Sequence, residues 1–277
     1  MNPKNTLAKL ASNFRNSSVR AFGATPPVGF IAVCAFVFIA SVAATVHFCR
    51  SMSGGMNMPG GWTMAMMWMP MPGCGWSASA AMFLLSWLTM MVAMMLPSAL
   101  PMLLNLRHSF SGGRFEAPAA FAAAGYFFVW TLIGVLVYAL GVAFAMAAMR
   151  LEWLSRLTPA LSGAALIIAG INQFTPWKMS ALRQCRAPDC GTLSTVGAMT
   201  GGWRYGFKQG IVCAICCAAP MLALLVLGAM DLAVMAVIAV VIAVEKLLPR
   251  PELAARLFGA LALLLGLGIL VRSAFIH

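Results

Sequence analysis

Long, nearly unbroken apolar runs separated by short polar breaks make up most of the chain. The first twenty residues are polar and basic, and an apolar run at about 28–48 follows the pair Pro26-Pro27. Six further runs cover about 77–106, 117–149, 158–174, 205–230, 232–248 and 253–275. About 20 apolar residues match the thickness of a bilayer's hydrocarbon core, where only helices and closed barrels satisfy the backbone. The pattern therefore predicts an all-α, polytopic transmembrane helical bundle of about seven spans. Two connections are long, 49–76 and the polar stretch TPWKMSALRQCRAPDCGTLS from Thr175. The others are short, which sets neighbouring helices antiparallel. The expected organisation is a basic segment at 1–27, an anchor span at 28–48 too long for a cleaved signal peptide, a loop at 49–76 and a six-span core at 77–277.

Composition agrees with that reading. Hydrophobic residues make up 62% and charged residues only 9%, against roughly 25% charged in a soluble domain. The net charge of +12 does not indicate nucleic acid, because the basic residues sit at span ends, where they set topology. Arg50, Arg150, Arg156 and Arg272 fall on one side, and the other 14 of the 18 Lys and Arg fall on the opposite side. The positive-inside rule then places the N-terminus in the cytoplasm and the C-terminus outside, in the periplasm of a bacterial inner membrane. The loop at 49–76 faces the periplasm in that orientation.

That loop carries the first candidate chemistry. Eight of the 25 residues from Met52 to Trp76 are Met, none is charged, and Gly and Pro rule out a helix. Thioether is a neutral, soft donor that prefers Cu(I) to harder cations. The pairs Met56-x-Met58 and Met69-x-Met71, on a flexible backbone, bring two sulfurs toward one ion. His47 and Cys49 add donors at the end of the first span. Alternatively, Met with Trp62, Trp68 and Trp76 rests on lipid headgroups.

Deeper sulfur follows. Met91, Met94, Met95, Ser98 and Met102 share one face of the second span, flanked by Met90 and interrupted by Pro97 and Pro101. Such a stripe also serves as ordinary core. In KQGIVCAICCAAPM, Cys213, Cys216 and Cys217 stand at i, i+3 and i+4, so their sulfurs share one face. Met221 and Gln209 extend that face in opposite directions. Pro220 removes the hydrogen bond to the Cys216 carbonyl and opens the helix beside the thiols. Three thiols on one turn supply most of a soft-metal shell. Glu245 is an acid inside a span, either functional or paired with Lys246 or a loop Arg. Asp231 is placed to cap the sixth span. Cys185 and Cys190 are either a structural clip or relay ligands.

The order AMMLPSALP, NQFTPWKMSALRQCRAPDC, GWRYGFKQGIVCAICC and GAMDLAVMAVIAVVIAVEKLLP resembles the DUF2182 family of predicted metal-binding integral membrane proteins, over about 77–270. The resemblance implies metal binding. Its pattern falls on Met94, Met95, Pro97, Lys178, Cys185, Cys213, Cys216, Cys217, Glu245 and Lys246. Gln209 stands where that family commonly has His, which disfavours a zinc-type site.

These features point to a protein that binds Cu(I) through Met and Cys, for transport, storage or delivery to a cuproenzyme. A copper chaperone or a larger membrane complex is a further expected partner, beside membrane lipid. No nucleotide motif is present, and no catalytic grouping is assigned. Two other readings stand beside it. One is a membrane thiol–disulfide oxidoreductase using Cys213 and Cys216, with Cys49 and Cys74 as an outer pair. The other is an accessory subunit packing through the small residues of spans three and seven.

Overall fold

A computed structural model describes residues 28–51, 54–69, 75–109, 116–186, 198–248 and 251–276. The expected basic segment at 1–27, together with Met71, Cys74 and Cys190, lies outside the described residues. Among the described residues the apolar runs are helices: α1 (Val28–Ser51), α2 (Trp76–Ser109), α3 (Glu116–Arg150), α4 (Glu152–Gln173), α6 (Ala198–Gly228), α7 (Leu232–Leu247) and α8 (Pro251–Ile276). A shorter helix, α5 (Pro176–Arg186), falls in the stretch expected to be polar turns. Thr175 explains its start, since its Oγ1 accepts a hydrogen bond from the Lys178 backbone N–H at 3.3 Å. Pro176 occupies the first helical position, where its missing N–H costs nothing.

Six helices are long and apolar enough to cross a membrane, consistent with a multi-pass membrane protein. The shortfall from seven is α7. Asp231 Oδ1 caps it by accepting from the Ala233 and Val234 N–H groups at 2.7 and 3.1 Å. Its 16 residues rise about 24 Å, less than the ~30 Å of a hydrocarbon core. The expected interruption of the second span is not seen, because α2 runs continuously through Pro97 and Pro101. Nor are residues 55–68 of the Met-rich segment an irregular loop. Gly55–Met58 (β1) and Trp62–Ala65 (β2) pair antiparallel, with Met56 opposite Met64 and Met58 opposite Trp62. Gly60 sits in the turn at φ +102°, a left-handed conformation that suits glycine. A Cβ there would also lie 3.0 Å from the Ser155 carbonyl oxygen. The hairpin docks at the start of α4. Trp62 Nε1 donates to the Ser155 carbonyl at 2.9 Å, and Ser155 Oγ donates to the Pro59 carbonyl at 2.7 Å.

The most extensive helix packing among the described residues joins α3 to α6. Gly202, Gly206 and Gly210 recur every fourth residue and present bare backbone to α3. A Cβ on Gly206 would sit 1.9 Å from the Ala122 carbonyl oxygen, and one on Gly202 2.5 Å from that of Pro118. Backbone, unlike a flexible side chain, cannot yield at such distances. Gly206→Val should therefore lower the thermal midpoint of the purified protein, with a cost of at least about 1–3 kcal/mol, the usual range for overpacking. An unchanged midpoint would show that the two helices can separate freely.

Candidate metal centre

The glycine stripe continues along α6 into the thiols. Three residues beyond Gly210, Cys213 faces α3, and the Tyr126 hydroxyl donates to its Sγ at 2.9 Å. Cys213 Sγ lies 3.9 Å from Cys217 Sγ, one turn onward, and 4.0 Å from Met95 Sδ of α2. Cys185 of α5 is half-buried and packs against the core cluster that holds these thiols. Cys213, Cys216 and Cys217 are each at most 2% exposed, and Met91 and Met95 are fully buried.

Two buried lysines flank the sulfur. Lys246 Nζ of α7 donates to Cys213 Sγ at 2.9 Å and to Ser98 Oγ at 3.3 Å. Lys178 of α5 pairs with Glu245, Nζ to Oε2 at 2.8 Å, and Gln173 Nε2 donates to Oε1 of the same carboxylate at 2.8 Å. Lys178 also donates to the Cys216 carbonyl. That carbonyl is the one that Pro220, four residues on, leaves without its helical partner. The α6 helix itself stays continuous through Pro220, so the freed oxygen becomes an anchor for Lys178.

The sequence-assigned residues separate into groups. Cys213, Cys217 and Met95 converge, whereas Cys216 is buried in the same core without joining that grouping. Met94 and Met221 are buried in the same core. Met221 lies one turn beyond Cys217, Met91 lies one turn before Met95, and Met94 immediately precedes it. The Glu245 carboxylate pairs with Lys178, and Arg186 donates to the Glu245 backbone carbonyl at 3.1 Å. Gln209 Nε2 donates to the Cys185 carbonyl at 3.5 Å.

At the hairpin end, His47 and Cys49 part company. His47 is exposed, whereas Cys49 is buried with its Sγ 3.9 Å from Met235 Sδ. Two residues apart on a helix, they occupy nearly opposite faces. Met58 and Met64 are buried against Ala145 and Ala148 of α3, with Met69 beside them, while Met56 is exposed. The six described cysteines are all free.

Sequence reading did not single out Tyr126, Met64 or Met235. Only the polarity of Tyr126 within an apolar run could have flagged it. Among the described residues no three His, Cys, Asp or Glu side chains converge as a metal shell. The grouping that does form mixes two thiols with a thioether, a donor set suited to soft ions and poor for zinc.

No curated protein and no solved structure matches the chain. Residues 84–269 match the family described as PpoB2, copper chaperone. The match takes in the α2 methionines, the α6 thiols and the Lys178–Glu245 pair, and it agrees with the metal-binding expectation drawn from the motifs. Matched over well more than half its length, the chain belongs to the PpoB2 copper chaperone family.

Proposed function

We propose that the protein is an integral membrane carrier of Cu(I), which it holds as cargo between the thiols of Cys213 and Cys217 and the thioether of Met95 and hands to a cuproenzyme or another copper carrier. The observation that supports this most directly is Cys213 Sγ lying within 4.0 Å of both other sulfurs, in the dry middle of α6. Charge supports it as well. Cu(I) on two thiolates carries one net negative charge, and an isolated charge in a water-poor interior is costly. The Lys246 ammonium at 2.9 Å supplies the opposite sign. The neighbouring Lys178–Glu245 pair is neutral by itself, so the loaded centre has no net charge.

In this reading the chain is a seven-span protein of the bacterial inner membrane, with α7 crossing at a locally thin point. The N-terminus is cytoplasmic and the hairpin periplasmic, as the 14 basic residues on one side favour. The DUF2182 resemblance fits the same role. Met56, exposed on the hairpin, offers a first thioether to arriving copper, and the thiol centre binds more tightly further in.

The test is X-ray absorption on the full chain, purified in detergent and loaded anaerobically with Cu(I). A copper shell of sulfur alone is the expected result. A shell dominated by nitrogen and oxygen, or a protein that keeps no copper through a desalting step, would overturn the proposal.

A further inference from the structure

Sulfur also collects at a second place, apart from the thiol centre. Near the hairpin end of the bundle a cavity of about 10 Å³ has room for one water-sized sphere. Five sulfur-bearing residues from separate segments line it: Cys49 at the end of α1, Met67 after the hairpin, Met90 on α2, Met230 in the α6–α7 turn and Met235 on α7. Phe83 and Trp87, stacked with centroids 6.0 Å apart, form part of its wall. Among the described residues no charged side chain lines it; Thr45 and Ser86 are its polar residues. Asp231, close by in sequence, is committed to the N-cap of α7.

We infer that this cavity is a second soft-metal site, which takes Cu(I) before the thiol centre does. The inference rests on the copper reading given above. A single thiol among thioethers, without carboxylate or imidazole, disfavours hard and borderline divalent ions. Binding releases the Cys49 thiol proton and leaves a complex of one thiolate and one Cu(I), which is neutral. This cavity holds no lysine and needs none, whereas the two-thiolate centre has Lys246. Cys49 Sγ and Met235 Sδ already face each other at 3.9 Å. Met90 belongs to the cavity and Met95 to the thiol centre, about 7.5 Å apart along the axis of α2. Met91 and Met94, both buried, lie between them, so thioether is available at each step.

The experiment is a Cu(I) titration of the full chain in detergent, anaerobic and with reductant, against a chromogenic Cu(I) chelator. Wild type should take up two equivalents. Cys49→Ser/Met235→Leu should take up one, with the affinity of the remaining site unchanged within about twofold. Cys213→Ser/Cys217→Ser should lose the other equivalent. Retention of the thiol-centre equivalent in the cavity variant shows that it is folded, and Met90→Leu, which preserves volume, gives an independent check by weakening the same equivalent. Two equivalents in the cavity variant, or a single equivalent in wild type that the cavity variant keeps, would overturn the cavity site and leave the thiol centre standing. No uptake by wild type would instead overturn the copper reading itself.

Discussion

Cys213→Ser/Cys217→Ser is expected to lower Cu(I) affinity at the thiol centre by more than about a hundredfold, or about 2.8 kcal/mol. The bound follows from smaller perturbations. Changing a residue that merely supports a metal ligand costs about 10–100-fold, and this variant replaces two soft ligands with hard hydroxyls. Hydroxyl oxygen is a poor donor for Cu(I) and does not ionise at neutral pH. The Lys246 ammonium would then face two neutral groups in place of thiolates. Serine nearly matches cysteine in size, so the α3–α6 packing should persist and unfolding should not mimic the loss. Competition with a chelator at fixed pH measures the effect. Retention of wild-type affinity would remove Cys213 and Cys217 from the copper chemistry.

The second large effect concerns stability. Glu245→Leu should destabilise the protein by about 3–5 kcal/mol, the usual cost of removing one partner from a buried ion pair. Lys178 is 1% exposed and Glu245 2%. Without the carboxylate, the Lys178 ammonium keeps only the Cys216 carbonyl, and Gln173 loses its acceptor. The double variant Lys178→Met/Glu245→Leu should recover much of the loss, since no charge is then left alone. Thermal midpoints of the two variants in one detergent decide the matter. A single variant as stable as wild type would mean that water reaches the pair. The same comparison separates structure from chemistry, because the double variant keeps every sulfur and should still bind copper.

Much of this architecture could be read from the residues themselves. Seven apolar runs form helices, and six of them are long and apolar enough to cross a membrane, where a helix satisfies its own backbone. Their ends were less legible. The α4 helix starts at Glu152 and not near 158, since Leu151 to Arg156 break the hydropathy without breaking the helix. The hairpin had a signal, with Pro59-Gly60-Gly61 between two short segments of alternating Met and polar residues. Its methionine content signals metal chemistry more strongly than it signals strands. The α5 helix was hidden by polarity, although Thr175-Pro176 marked its start. The approach of Cys213 to Cys217, one turn apart, was legible from spacing, whereas the third thiol of the expected trio, Cys216, does not converge with them. Spacing does not reveal their partners, because Tyr126, Lys178, Cys185 and Lys246 come from three other helices. Sequence spacing speaks for neighbours on one helix, and only the packed bundle brings distant residues together.

In the copper-carrier reading, the seam between α3 and α6 bears on how an ion would be passed on. Where two backbones touch, neither helix can turn or slide without collision, since interiors this dense do not deform continuously. The positions of Cys213 and Tyr126 are thus set before any ion arrives, and little ordering entropy is lost on capture. What can still swing is the methionine side chain, with three rotatable bonds. Loading and unloading would then proceed by rotamer hops of thioethers around a stationary frame, with no need for rocking of the helices.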